Sequence, residues 1–122
     1  IPAARHFKLG LTAFASLAGG LLTGMQTLQT KPISQLGGQR WRSGAGPGFS
    51  ERELKAARDL DSCALEWGIP APQLALGWLL TRPTVASVII GPESIAELEQ
   101  NAPAGDLELS PSQLAILDEI GR

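Results

Sequence analysis

The 122-residue sequence predicts an α/β protein in which short parallel strands are covered by helices. Three observations predict it. Two apolar runs, Leu9 to Phe14 and Val85 to Ile90, have the length and residue types of strands and are followed by glycine-bearing turns. The segments around them carry apolar residues at helical spacing, and strand and helix alternate along the chain. In that arrangement functional groups gather at the C-terminal ends of the strands.

Leu9 to Phe14, bracketed by Gly10 and the Gly19-Gly20 pair, reads as a short buried strand with a loop at its C-terminal end. From Gly24 to Pro47 the chain carries Pro32, Gly37-Gly38, Gly44 and Gly46 with little apolar periodicity, so residues 24–49 read as one long loop outside regular structure. Loops of that length are often functional lids. Ser50, followed three residues later by Glu53, marks a helix start, one position outside a strict capping-box register. Leu54, Ala57, Leu60, Ala64, Leu65 and Trp67 continue it at helical spacing, and Gly68-Ile69-Pro70 ends it. A second helix starts near Ala71 to Gln73. Its Leu74, Leu76, Trp78, Leu79 and Leu80 give an apolar surface buried on more than one side, and it stops at Arg82-Pro83. Val85 to Ile90 is a β-branched strand closed by Gly91-Pro92, and Ser94 to Asn101 resumes helical spacing through Ile95 and Leu98. Ser110-Pro111, an N-cap with proline at the first helical position, opens a terminal helix through Leu114, Leu117 and Ile120.

Composition excludes several function classes. The chain is 43% apolar with a formal charge of −2, and its ten Lys+Arg are scattered from Arg5 to Arg122. No basic stripe is available to neutralise phosphates, so nucleic acid is not an expected partner. One Cys and one His supply neither an internal disulfide nor a structural zinc site, and a reducing cytoplasm is the expected compartment. Arg5, His6 and Lys8 ahead of the apolar Leu9–Ala18 run resemble a secretory leader superficially. Against that reading, the chain begins with Ile1 rather than Met, and Gly10, Thr12 and Ser16 interrupt the run. No stretch reaches the roughly 20 apolar residues of a membrane span, so no membrane partner is expected.

Leu9 to Gly24 (LGLTAFASLAGGLLTG), Gln73 to Leu80 and Val85 to Asn101 together resemble the last strands of the aldo-keto reductase family, and Ser110–Ile120 (SPSQLAILDEI) resembles its final helix. The resemblance runs over nearly the whole chain. It implies an α/β fold that is the C-terminal part of a (β/α)₈ TIM barrel, incomplete on its own, and a protein that reduces aldehydes or ketones with a hydride from NAD(P)H. Phe14 then stacks on the nicotinamide ring, and Ala15, Ser16, Leu17 and Gly19 line the pyrophosphate. Gly91 and Glu97 lie along the adenosine and its 2′-phosphate, and Gln100 and Asn101 contact adenine. A glycine-rich loop lets backbone N–H groups approach phosphate closely, which gives the assignment a physical basis.

Two departures from the family pattern qualify what the resemblance implies. Ala15-Ser16 replaces the family's Ser-Pro, displacing a phosphate-binding hydroxyl by one residue. Glu93 and Glu97 stand where many relatives place Arg, Ser or Gln, and two carboxylates repel a phosphate. NADP is therefore the expected cofactor with NAD beside it, and Arg40 or Lys31 from the long loop is expected to offset the charge. The family's catalytic Asp, Tyr, Lys and His are not matched here. The chain has no Tyr, and its single His6 is expected in a loop before the first strand. No catalytic residue is assigned, Ile1 is expected to mark a truncated chain, and the segment alone is expected to be inactive. A noncatalytic module that holds cofactor and docks to a partner, like the family's channel-associated members, is the alternative. A degenerate half-barrel that self-associates through uncovered strands is a third reading.

Overall fold

A computed structural model describes residues 1–30, 49–120 and 122. Helix α1 (Pro2–His6) leads into strand β1 (Leu11–Ala13), and a loop with a 3-10 turn at Ala18–Gly20 leads on to helix α2 (Met25–Thr30). After residue 48 come α3 (Glu51–Trp67), α4 (Ala71–Leu80), strand β2 (Val85–Val88), α5 (Ile95–Asn101), a 3-10 turn (Ala102–Asp106) and α6 (Pro111–Glu119). The two strands pair in parallel, with Leu11 opposite Val85 and Ala13 opposite Val88. Gly10 permits that approach, since a Cβ there would sit 2.9 Å from the Cβ of Ala86.

Helix α3 starts where Ser50 and Glu53 place it, and its cap is stronger than the spacing suggests. Glu53 N–H donates to Ser50 Oγ at 3.3 Å and Ser50 N–H donates to Glu53 Oε2 at 2.7 Å, a complete capping box. Gly68, at φ 66°, ends the helix in the left-handed conformation that glycine adopts without strain. Helix α6 repeats the device with Ser110 and Gln113. Helix α4 is the centre of the core: Leu74 is 0% exposed, and Ala71 and Ala75 join Leu60 and Ala64 of α3 and Leu117 of α6 around it. This matches the expectation that α4 is buried on more than one side.

Several expectations are corrected. The strands are shorter than 9–14 and 85–90, and β1 is not buried: Leu11 and Thr12 are exposed and Ala13 is half-buried. Among the described residues the sheet has two strands, of which β2 packs against α4, and apolar strand residues such as Leu11 stay open to solvent. Met25–Thr30, placed inside the long loop, is helical, and residues 31–48 lie outside the described residues. His6 is not in a loop; it ends α1, edge-on to Phe7 with ring centroids 4.8 Å apart. Leu65, counted in the apolar stripe of α3, is 81% exposed. No helix among the described residues is long and apolar enough to cross a membrane.

Candidate functional site

Because β1 and β2 run in parallel, the loop after Ala13 and the loop after Val88 emerge at the same end of the sheet. Ile89 N–H donates to Ala13 O at 2.7 Å, which closes the ladder at that end. The chain then turns sharply. Ala15 (φ 51°) and Ala18 (φ 53°) are non-glycine residues in the left-handed region, followed by Gly19 (φ 67°) and Gly20 (φ 97°). The turn takes the N–H groups of its first residues out of the strand ladder, and backbone N–H groups exposed in such a turn suit an anion. Ala18 N–H returns to Ala15 O and Leu22 N–H to Leu17 O, holding the turn in shape. Among the described residues no acceptor is found for the N–H groups of Ser16 and Leu17.

Side chains in this loop divide their work. Phe14 is 70% exposed at the mouth of the loop, so its ring has a free face. The Ser16 Oγ–H is directed to Ala13 O at 3.1 Å and Ile89 O at 3.4 Å, spanning the two strand ends. The Leu17 side chain packs against the core, so its backbone is what faces the loop. Ala15 is exposed and Gly19 half-buried. Arg40 and Lys31 lie outside the described residues.

The second half of the site follows β2. Gly91 is exposed, and Ser94 caps α5 by accepting from Glu97 N–H at 3.1 Å. Glu97 Oε2 accepts from Glu93 N–H at 2.8 Å, so one of the two carboxylates is folded back on the start of its own helix. Gln100 is exposed at its side chain, while its carbonyl accepts from Gln73 Nε2 at 2.5 Å, tying the end of α5 to α4. Asn101 is the telling residue. It is 7% exposed, and its Oδ1 is sealed from solvent without a hydrogen-bond partner. Buried polar atoms are satisfied in the great majority of cases, so an orphaned carbonyl at a helix end is a place where a donor is missing.

No group of three or more His, Cys, Asp or Glu gathers among the described residues. Sequence reasoning named neither the Gln73–Gln100 tie nor the Ser16 bridge, and neither could be found by spacing, since they join residues 27 and 73 positions apart.

The family model described as Aldo/keto reductase family matches residues 1–122. The chain belongs to the aldo/keto reductase family. Its (β/α)₈ barrel architecture agrees with the mixed strand-and-helix order and the parallel pair described above. Oxidoreductase function and nicotinamide cofactors are properties of aldo/keto reductases as a family. Similar proteins include the uncharacterized oxidoreductase YrpG of Bacillus subtilis (strain 168), 31% identical over 98% of this chain and 34% of that protein. The L-glyceraldehyde 3-phosphate reductase of Escherichia coli (strain K12) is 34% identical over 91% of this chain and 33% of its own length. A probable voltage-gated potassium channel subunit beta of Oryza sativa subsp. japonica is 30% identical over 88% and 33%. The chain therefore spans about a third of the length of the curated relatives it matches.

Proposed function

We propose that residues 1–122 form the C-terminal, cofactor-holding segment of an aldo/keto reductase barrel, and that the whole protein reduces an aldehyde or ketone to the alcohol. The bound cofactor supplies the hydride. This segment's residues bind and orient. Phe14 offers a ring face to the nicotinamide, and the Ser16 and Leu17 N–H groups, with Ala15 and Gly19 shaping the turn, receive the pyrophosphate. Gly91, Glu97, Gln100 and Asn101 follow the adenosine. The observation that carries the reading is the turn after β1, where the N–H groups of Ser16 and Leu17 have no acceptor among the described residues and lie beside the exposed ring of Phe14.

NADP is the proposed cofactor. The carboxylates of Glu93 and Glu97 keep NAD in contention, and residues 31–48, with Arg40 and Lys31, are the proposed source of compensating charge. Without a Tyr, this segment supplies no family-type general acid. The Asp, Tyr, Lys and His set is proposed to come from other parts of the protein, and the segment alone to be inactive. The uncovered apolar faces of the strands would make the isolated segment self-associate. The proposed compartment is the cytoplasm.

The test is a fluorescence titration of NADPH and of NADH into the longest natural polypeptide that carries this segment, beside its Phe14→Ala variant. NADPH is expected to bind, and the variant severalfold more weakly, as loss of an aromatic stacking partner implies. If neither nucleotide binds to the unaltered protein, the proposal fails. Undiminished affinity in the variant removes Phe14 from the site.

A second reading rests on the relatives named as channel subunits: a cofactor-holding module that docks to a partner without turnover. Tight cofactor binding with no reduction of any aldehyde by the whole protein would favour it.

A further inference from the structure

We propose a second ligand site at the N-terminal end of the sheet, one that takes a phosphate group, free or borne by a small organic molecule. A cleft of about 450 Å³ opens there, between the end of α1 and the segment leading into β2. Cavities of this size hold small ligands. The strand run from Gly10 to Phe14 places the cleft about 13 Å from the loop assigned to the cofactor, so the two sites do not overlap.

Three features of the lining point to an anion. Arg5 and Lys8 both line the cleft, no carboxylate does, and neither cation is in an ion pair among the described residues. Thr84 lines it too. That residue is 7% exposed, yet its hydroxyl has no hydrogen-bond partner among the described residues and is not sealed from solvent, so it opens on the cleft. A hydroxyl donor beside two cations free of ion pairs is a phosphate-binding set.

The third feature is strain. Helix α1 ends in a Schellman turn, with Leu9 N–H donating to Ala4 O at 2.8 Å and Lys8 N–H to Arg5 O at 3.2 Å. Lys8 holds the left-handed position of that turn at φ 54°, where glycine is the favoured residue. A strained residue whose side chain lines a cleft is a mark of function. Neutralising the carbonyl end of α1 would need neither a left-handed lysine nor an open hydroxyl. Leu9 and Val85 give the cleft apolar walls, which suit the organic part of a phosphate ester.

The test titrates inorganic phosphate and phenyl phosphate into the protein at low ionic strength, read by calorimetry, with Lys8→Gly, Arg5→Gln and Thr84→Val variants alongside. Lys8→Gly is expected to bind at least tenfold more weakly while melting about 2–4 °C higher, because the strain leaves with the side chain. Arg5→Gln and Thr84→Val are expected to weaken binding severalfold, and saturating NADPH to leave it unchanged. Phenyl phosphate bound tenfold tighter than phosphate identifies an organic ligand; equal affinities identify the free ion. Failure of both probes to bind, or unchanged affinity in Lys8→Gly, overturns the proposal. Neither result depends on whether the cofactor site is correctly assigned.

Discussion

The indole Nε1–H of Trp78 donates to Oδ1 of Asp118 at 2.7 Å, and the same oxygen accepts from Arg82 Nη1 at 2.9 Å. One carboxylate thereby joins α4 to α6, while the Arg82 guanidinium lies 4.5 Å from the Trp78 ring centroid. Arg82 stands at the turn that feeds β2, so the contact links the packing of the last helix to the start of the strand that carries half of the site.

The hydrogen bond from Trp78, aided by the Arg82 charge, holds the Asp118 carboxyl below the usual carboxylate range. A depressed folded-state value stabilises the fold above the unfolded value, and that stabilisation is lost as pH falls through the folded one. Asp118→Asn is therefore expected to melt below the natural protein at neutral pH, with the gap closing in acid below the ordinary carboxylate value. Thermal scans at pH 7 and below pH 3 check it; a gap independent of pH would remove the charge from the account.

Two helices begin at complete capping boxes, and each box satisfies N–H groups that have no partner within the helix. Ser50→Ala and Ser110→Ala should each lower stability by about 1 kcal/mol, and glycine at the same positions by only a few tenths. Urea titrations measure both, and unchanged midpoints for the alanine variants would contradict the caps.

Gly10 and Gly68 are required for different reasons, and substitutions should separate them. Gly10→Ala forces a Cβ to 2.9 Å from that of Ala86 and is expected to cost about 1–3 kcal/mol. At Gly68 nothing lies within 4 Å of an added Cβ, so Gly68→Ala is opposed by its φ of 66° alone, at about 1 kcal/mol. Asparagine, which tolerates the left-handed conformation, should recover part of the loss at position 68 and none at position 10. Equal behaviour at the two sites in denaturant melts would refute the distinction.

Burial, then the carboxylates of Glu66 and Asp59, raise the thiol of Cys63 above its ordinary value. Less thiolate is present at neutral pH, and the side chain is half-buried against the core. Alkylation by iodoacetamide at pH 8 should be slower in the folded protein than in urea; equal rates would show an open thiol.

The caps and breakers were legible in the chain because they are local. Ser50, Gly68, Ser94 and Ser110 each end or begin a helix through atoms within a few residues of themselves. The apolar face of α4 was legible for the same reason, since helical spacing alone brings Ala71, Leu74 and Trp78 to one side. The helix at Met25–Thr30 was hidden behind the glycine-rich run that follows it, and α1 behind a short charged stretch too brief to show a period. Leu65 fits the spacing of α3, but it faces outward because no described element packs there.

The amino-acid sequence by itself determined the order β1, α3, α4, β2, α5, α6, the caps at which α3, α5 and α6 start, and the run from Phe14 to Gly20 that turns the chain at the end of β1. Only the tertiary structure decided what the side chains at that end do: that Ser16 bridges two strand ends, that Leu17 turns to the core, and that Asn101 is sealed with an empty acceptor. Capping and helical periodicity act over one to four residues, so they are written in the local order of the chain. The hydrogen-bond state of Ser16 or Asn101 depends on atoms from distant segments, which the pairing of β1 with β2 and the packing of α4 against β2 and α5 bring together.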